Sequence, residues 1–360
     1  MIYLDYNATA PVRPEVVAAM QECLALPLNA SSVHTFGREA KKRLEYARKT
    51  IAETMSAWPN ELIFCGSGTE ANNWALRAVT GRRVLVSAME HSSVLAAAPE
   101  HKILIPSTAE GLVDLAALEA LLQTDGVALV SVMLANNETG VIQPMAEVAA
   151  LCRKYEALLH CDAVQGVGKI PVDFGGLGAD MMTISGHKSG GPVGAAALVV
   201  RRGYALPAFL LGGGQESRRR AGTENIAAIS GFAKAMELID LNDMKRLRSW
   251  LAVMEQAMEA MGGVVFGTSA PRLPNTTCVA MPGTSGEVQL MDFDLKGFAV
   301  STGSACSSGR IEGSHVLAAM NVPKNLAESA IRISGGWKTT EEDIILFTQA
   351  WRNTRKRLIK

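Results

Sequence analysis

Two rhythms of apolar and polar positions run along this chain. Six short apolar runs, "ELIFC" (61–65), "RVLVSA" (83–88), "KILIP" (102–106), "VALVSVML" (127–134), "ALLHCDAV" (157–164) and "DMMTIS" (180–185), have the length of strands. Between them the period lengthens to that of a helix. Ala40, Leu44, Ala47, Ile51 and Met55 share one face over 38–55, and 145–155 forms a further amphipathic segment. Strands alternating with helices predict an α/β domain.

After Asn225 the pattern changes. A mostly helical stretch runs to about Met261, and "NTTCVAMPG" (275–283), "GFAVSTGSA" (297–305) and "SAIRISGGW" (329–337) then predict a second strand set, closed by an amphipathic helix from about Thr340. A chain of 360 residues exceeds what one compact core commonly serves. The expected architecture is a large α/β domain and a smaller one, with a cleft between them.

Charge and cysteine usage narrow the chemistry. Thirty-five basic residues balance 35 acidic ones without a long same-sign block, which points away from a nucleic-acid or membrane-surface binder and toward small-molecule chemistry. No run of about eighteen apolar residues predicts a membrane span. The start, "MIYLDYNATAPVRPE", lacks the basic and apolar segments of an export signal, so the expected location is cytoplasmic. Six cysteines without a C-x-x-C pair, and six histidines without H-x-x-x-H spacing, argue against a disulfide framework and against a metal site.

Three stretches carry candidate chemistry. "GSGTEA" (66–71) follows a strand, opens a helix and fits the dinucleotide pattern G-x-G-x-x-A, with Glu90 roughly where a ribose-binding acid would fall. Physically it says that backbone amides at a helix start can meet a phosphate; a plain tight turn fits too, and which phosphate is left open. "MMTISGHKSGGPVG" (181–194) sets Lys188 at the carboxyl end of a strand, where a charged lysine is costly unless paired or chemically used. Desolvation there frees its amine for Schiff-base formation. In "HCDAVQG" (160–166), Asp162 ends another strand, with Gln165 three residues on. A carboxylate beside a Schiff-base lysine suits a protonated pyridine nitrogen, and together with the phosphate turn these residues favour pyridoxal phosphate over a nicotinamide.

The chain resembles the pyridoxal-phosphate cysteine desulfurases of the NifS/IscS type, within the class V aminotransferase-like enzymes. The likeness runs from "YLDYNATAPV" to "AIRISGGWKTTEED" through "GSGTEANN", "EHSSV", "NNETGVIQP", "CDAVQGVGK", "SGHK", "GGGQE", "RRAGTEN" and "STGSACSSG", in that order. The resemblance implies fold type I: a large α/β domain with a central, mostly parallel sheet over 16–245, and a smaller α+β domain from 1–15 and 246–360. It further implies that Lys188 binds pyridoxal 5′-phosphate as a Schiff base, Asp162 pairs with the pyridine nitrogen, Gln165 meets the phenolic oxygen and His91 stacks on the ring. Gly68, Thr69, Ser185 and His187 would hold the phosphate, with Thr223 reaching in from the second subunit of a homodimer. Asn7, Asn137 and Arg332 would line the substrate site, Arg332 gripping the substrate carboxylate as a planar fork.

That resemblance gives meaning to "STGSACSSGR" (301–310), where Cys306 sits among residues too small to bury it. A cysteine that travels between a bound substrate and a receiving molecule needs a flexible, sterically small loop. The implied reaction takes sulfur from L-cysteine, leaves L-alanine and loads Cys306 with a persulfide, with His91 as proton shuttle, for a sulfur-acceptor protein in iron–sulfur cluster or thio-cofactor biosynthesis. The alternatives are a class V lyase, transaminase or selenocysteine lyase. One departure stands out: Ser189 and Gly190 follow the lysine where relatives often carry bulkier residues, so the pocket edge is expected to be roomier or filled differently.

Overall fold

The computed structural model describes residues 1–79, 82–124, 126–302 and 313–359. The strands, in chain order, are β1 (Ile2–Tyr3), β2 (Leu62–Cys65), β3 (Arg83–Ser87), β4 (Ile103–Ile105), β5 (Val127–Ser131), β6 (Leu158–Asp162), β7 (Met181–Ser185), β8 (Ala196–Val200), β9 (Val264–Val265), β10 (Thr276–Ala280), β11 (Phe298–Ala299) and β12 (Ala330–Ser334).

Seven of them form the main sheet in the order β2-β8-β7-β6-β5-β3-β4. From β4 across to β7 the strands run parallel, whereas β8 runs against both β7 and β2. Helices cover both faces, so the apolar runs are continuous rather than alternating, as a sheet buried on two sides requires. Neighbouring residues still point to opposite faces. Phe64, Leu85, Val130 and Met182 join one core with the helices Thr35–Thr54 and Ile226–Glu237, while Ile63, Val84, Leu129 and Met181 join another with the helix Gly68–Arg77.

The second sheet, β12-β10-β9, is antiparallel. Its Val279 and Ile331 pack with Leu247 and Leu251 of the helix Leu241–Ala260 and with Phe347 and Trp351 of the helix Glu341–Leu358. The last helix starts where the pattern places it, because Thr340 and Asp343 form a reciprocal capping box. Acidic residues in its first turn and basic ones in its last complement the helix dipole.

Three details differ from the pattern-based expectation. The alanine-rich β8 was not among the expected runs. In the described part of "GFAVSTGSA" the two residues of β11 pair in parallel with β1, and Ser301 makes a single antiparallel bridge to Arg332 of β12 in place of a full strand. The helical stretch 225–261 breaks in two, because the Asp240 carboxylate accepts from the Asn242 amide at 2.8 Å and starts a new helix. No helix among the described residues is long and apolar enough to cross a membrane.

Candidate active site

Because β6 and β7 are parallel and in register from His160↔Met181 to Asp162↔Thr183, both deliver their carboxyl ends to one edge of the sheet. Open α/β sheets place their ligand crevices there. Asp162 is the last residue of β6, and Lys188 closes the single turn Gly186–Lys188 that follows β7. A cavity of about 230 Å³ opens between them. Of the sequence-derived candidates, Asn7, Gly68, Thr69, His91 and Asn137 line it, as do Asp162, Gln165, Ser185, His187 and Lys188.

Lys188 Nζ donates to the carbonyls of Asn7 and Ala8, both at 2.6 Å. Asp162 uses one oxygen to hold its own turn, accepting from the Val164 amide at 3.0 Å, and the other to accept from Asn72 Nδ2 at 2.7 Å. The "GSGTEA" turn brings the start of the Gly68–Arg77 helix against the end of β6. Ser67 Oγ caps the helix through the Glu70 amide, at 3.1 Å. A Cβ on Gly68 would come within 3.2 Å of Val164 Cγ2, so the close approach depends on glycine. First-turn amides have no intrahelical acceptor and carry the positive end of the helix dipole, which suits an anion in this cavity. Glu90 is wholly buried and does not line the cavity. Burial and the Asp162 charge push its carboxyl well above the usual range, so the dinucleotide pattern lacks an available ribose-binding acid.

The two histidines are held as neutral rings. His91 caps the helix Ser92–Ala97, its Nδ1 accepting from the Ser93 amide at 3.1 Å with Ser93 Oγ 2.7 Å away. An Nδ1 that accepts a backbone N–H leaves the neutral ring's hydrogen on Nε2. Burial chiefly, with Lys188 adding to it, lowers the His91 pKa against the opposing pull of Asp162. His187 pairs with Thr9 Oγ1 at 3.2 Å, and burial, with Lys188 and Lys169, brings its pKa down to about 4.

Arg332 is not the surface strand charge that a lone arginine in a strand would suggest. It lies on β12, 2% exposed, and reaches the cavity wall by donating through Nη1 to the Asn137 carbonyl at 3.0 Å. Its Nη2 pairs with Asp5 at 2.7 Å, and its buried Nε has no partner among the described residues. The pocket edge beside Ser189 and Gly190 is filled by Arg13. Gly190 has φ +83°, and a Cβ there would meet the Arg13 side chain at 3.1 Å. Thr223 is exposed and does not line the cavity of its own chain. Cys306 lies outside the described residues.

Two site residues escaped sequence reasoning. Asn72, one turn into the "GSGTEANN" helix, ties Asp162 to Ser93, donating to Ser93 Oγ at 2.9 Å as well. Lys169, 5% exposed, donates to Asn7 Oδ1 at 2.8 Å and to Gln165 Oε1. The available signal was spacing: Lys169 falls four residues after Gln165 within "CDAVQGVGK".

A fold with this crevice, a lysine at one strand end and an aspartate at the next defines a class, and residues 2–347 match the aminotransferase class-V family model. The chain belongs to that family. Within it the relatives are cysteine desulfurases. Cysteine desulfurase IscS of Dictyoglomus turgidum is 41% identical, over 95% of this chain and 91% of its own. The IscS-like cysteine desulfurase of Mycobacterium tuberculosis is 38% identical, over 96% and 93%. The X-ray structure of a NifS-like protein from Rickettsia africae superposes with a TM-score of 0.92 at 37% identity, covering 99% of each chain.

Proposed function

We propose that the protein is a cysteine desulfurase, converting L-cysteine to L-alanine and carrying the sulfur as a persulfide on Cys306 for an acceptor protein. One observation carries the reading: Lys188 and Asp162, from adjacent strand ends, face a single cavity whose wall includes Asn137, the residue that Arg332 holds from behind.

The cavity suits pyridoxal 5′-phosphate. Ser67, Gly68 and Thr69 line it at a helix start, where first-turn N–H groups suit an anion, and the buried Arg332 Nε, without a partner among the described residues, suits a substrate carboxylate. Lys188 would anchor the cofactor, Asp162 would face its pyridine nitrogen and Gln165 its phenolic oxygen, and His91 would cover the ring. Gly68, Thr69, Ser185 and His187 would hold its phosphate, joined by Thr223 of a second subunit in a cytoplasmic homodimer. When bound, the cofactor supplies a protonated ring that takes up electron density released at the substrate Cα.

The chain's own groups do the rest. Arg332 orients the substrate through its carboxylate, and the Lys188 amine, held in the interim by the carbonyls of Asn7 and Ala8, takes the Cα proton. His91 holds a proton at Nε2 for the substrate. The Cys306 thiolate attacks the substrate sulfur; an S–S bond forms as the carbon–sulfur bond breaks, and the electron pair of the broken bond stays with the carbon that leaves in alanine.

Purified protein given L-cysteine and a reductant should release alanine and sulfide in equal amounts, and alkylation without reductant should trap one extra sulfur on Cys306. Cys306→Ser should bind L-cysteine and perturb the cofactor spectrum yet form no alanine. Normal alanine production by that variant would displace this reading in favour of a class V lyase.

A further inference from the structure

We propose that Lys169 is a positioning residue that sets the orientation of the Gln165 amide, so that Gln165 presents an N–H donor, not a carbonyl, to the cavity. Lys169 follows Gln165 by four residues, and its Nζ reaches Gln165 Oε1 and Asn7 Oδ1. Both partners of this amine are amide oxygens, to which it donates, whereas the Asn7 backbone carbonyl, 3.0 Å from Gln165 Nε2, only accepts. Each end of the Gln165 amide therefore faces the one partner type that matches it, and rotation by half a turn would set oxygen against oxygen and nitrogen against nitrogen. Asn7 is fixed independently of Lys169: its Nδ2 donates to the Asn137 carbonyl at 3.2 Å and to Thr276 Oγ1 at 2.9 Å, and its Oδ1 accepts from Asn275 Nδ2 at 3.1 Å as well as from Lys169. Gln165 lines the cavity, and the second hydrogen of its Nε2 is what it has to offer there.

Among the described residues no carboxylate pairs with Lys169. Burial, then the charges of Lys188 and Arg332, hold its pKa well below that of a free lysine, so keeping a lysine here is costly. A methionine would fill the same volume without that cost. What a methionine could not do is donate to Gln165 Oε1 and so hold that amide in one orientation.

This inference rests on the pyridoxal-phosphate reading, in which Gln165 faces the phenolic oxygen. A donor there stabilises the phenolate and lowers the pH at which the bound cofactor's visible band titrates. Lys169→Met should melt cooperatively, bind pyridoxal 5′-phosphate roughly threefold to tenfold more weakly, and raise the midpoint of that titration by about half to one pH unit. In a Gln165→Ala background the Lys169→Met substitution should change neither value, because there is no amide left to orient. Gln165→Glu, which offers an oxygen in place of the amide nitrogen, should raise the midpoint in the wild-type background and serves should Lys169→Met fail to fold. An unchanged midpoint in Lys169→Met or in Gln165→Glu would overturn the proposal, as would a shift that persists in full without Gln165, since Lys169 would then act by its charge alone. A wild-type protein with no visible band removable by borohydride would instead overturn the cofactor reading itself.

Discussion

Two buried charge clusters in this molecule are built on opposite plans. At Glu255, in the helix Leu241–Ala260, every oxygen is spoken for: Arg248 and Arg272 each grip the carboxylate with two nitrogens at 2.7–3.1 Å, and Thr277 adds a hydroxyl at 2.7 Å. Although burial pushes the Glu255 pKa upward, these hydrogen bonds outweigh it and hold the carboxyl below its usual range. The cluster ties its helix to β10 and asks for nothing more. In the cavity region, Lys169, Lys188 and Arg332 crowd together, and the Arg332 Nε and Asn72 Oδ1 are left without partners among the described residues. A buried cluster that closes on itself serves the fold, and one that keeps donors and acceptors unspent is prepared for something that arrives later.

Substitutions should separate the two plans. The largest effect is expected from Lys188→Ala, which removes both anchor and base: turnover should fall at least about 10³-fold with the melting transition retained. Mass spectrometry after borohydride should place the cofactor on Lys188 in the parent protein, and an adduct on another lysine would break the assignment. Asp162→Asn should retain cofactor and lose roughly 10²- to 10³-fold in turnover, the scale of one preorganised electrostatic partner.

On the other side of the comparison, Glu255→Gln should leave turnover per folded molecule unchanged and lower the unfolding free energy by about 3 kcal/mol, read from a urea midpoint, because two arginines lose their shared carboxylate. Equal turnover loss there would erase the distinction drawn between the clusters.

The smallest effect concerns acid. The folded-state pKa of His187 lies near 4, below the ordinary 6.5, so between those values the unfolded chain takes up a proton that the folded site refuses, and the contribution to stability present above pH 6.5 is lost as the pH falls. Glu255, with a lowered carboxyl pKa, keeps its contribution until the pH drops below the ordinary glutamate range. Hydrogen exchange at pH 5 should accordingly show protection weakening around 185–189 while 248–258 stays as at pH 7, and His187→Asn should flatten the first change.

The same contrast explains what could be read from the sequence. Lys188 and Asp162 were legible because each ends an apolar run, where a charge interrupts a pattern that otherwise has a plain physical meaning. Lys169, Asn72 and Glu255 were not, since each lies in a stretch that reads as a solvated turn or helix face, and their burial comes from elements far away in the chain. The strand β8 was missed because "AALVV" opens on two alanines, weak strand formers whose preference tertiary pairing with β2 and β7 overrides. The pairing of β11 with β1 joins residues almost three hundred apart, and no linear window carries that.

The reversal of β8 has a consequence for motion. Because β8 returns directly beside β7, with Ser185 opposite Ala196 and the Gly186 amide bonded to the Ala195 carbonyl at 3.1 Å, the backbone that carries Lys188 is anchored at both ends of one short connection. The Gly186 carbonyl also accepts from the amides of Ser189 and Gly191, each at 3.0 Å. The lysine is thus a pivoting arm on a stationary post: its amine can leave one partner for another by side-chain torsion alone, on the picosecond-to-nanosecond scale, without waiting for any strand to shift.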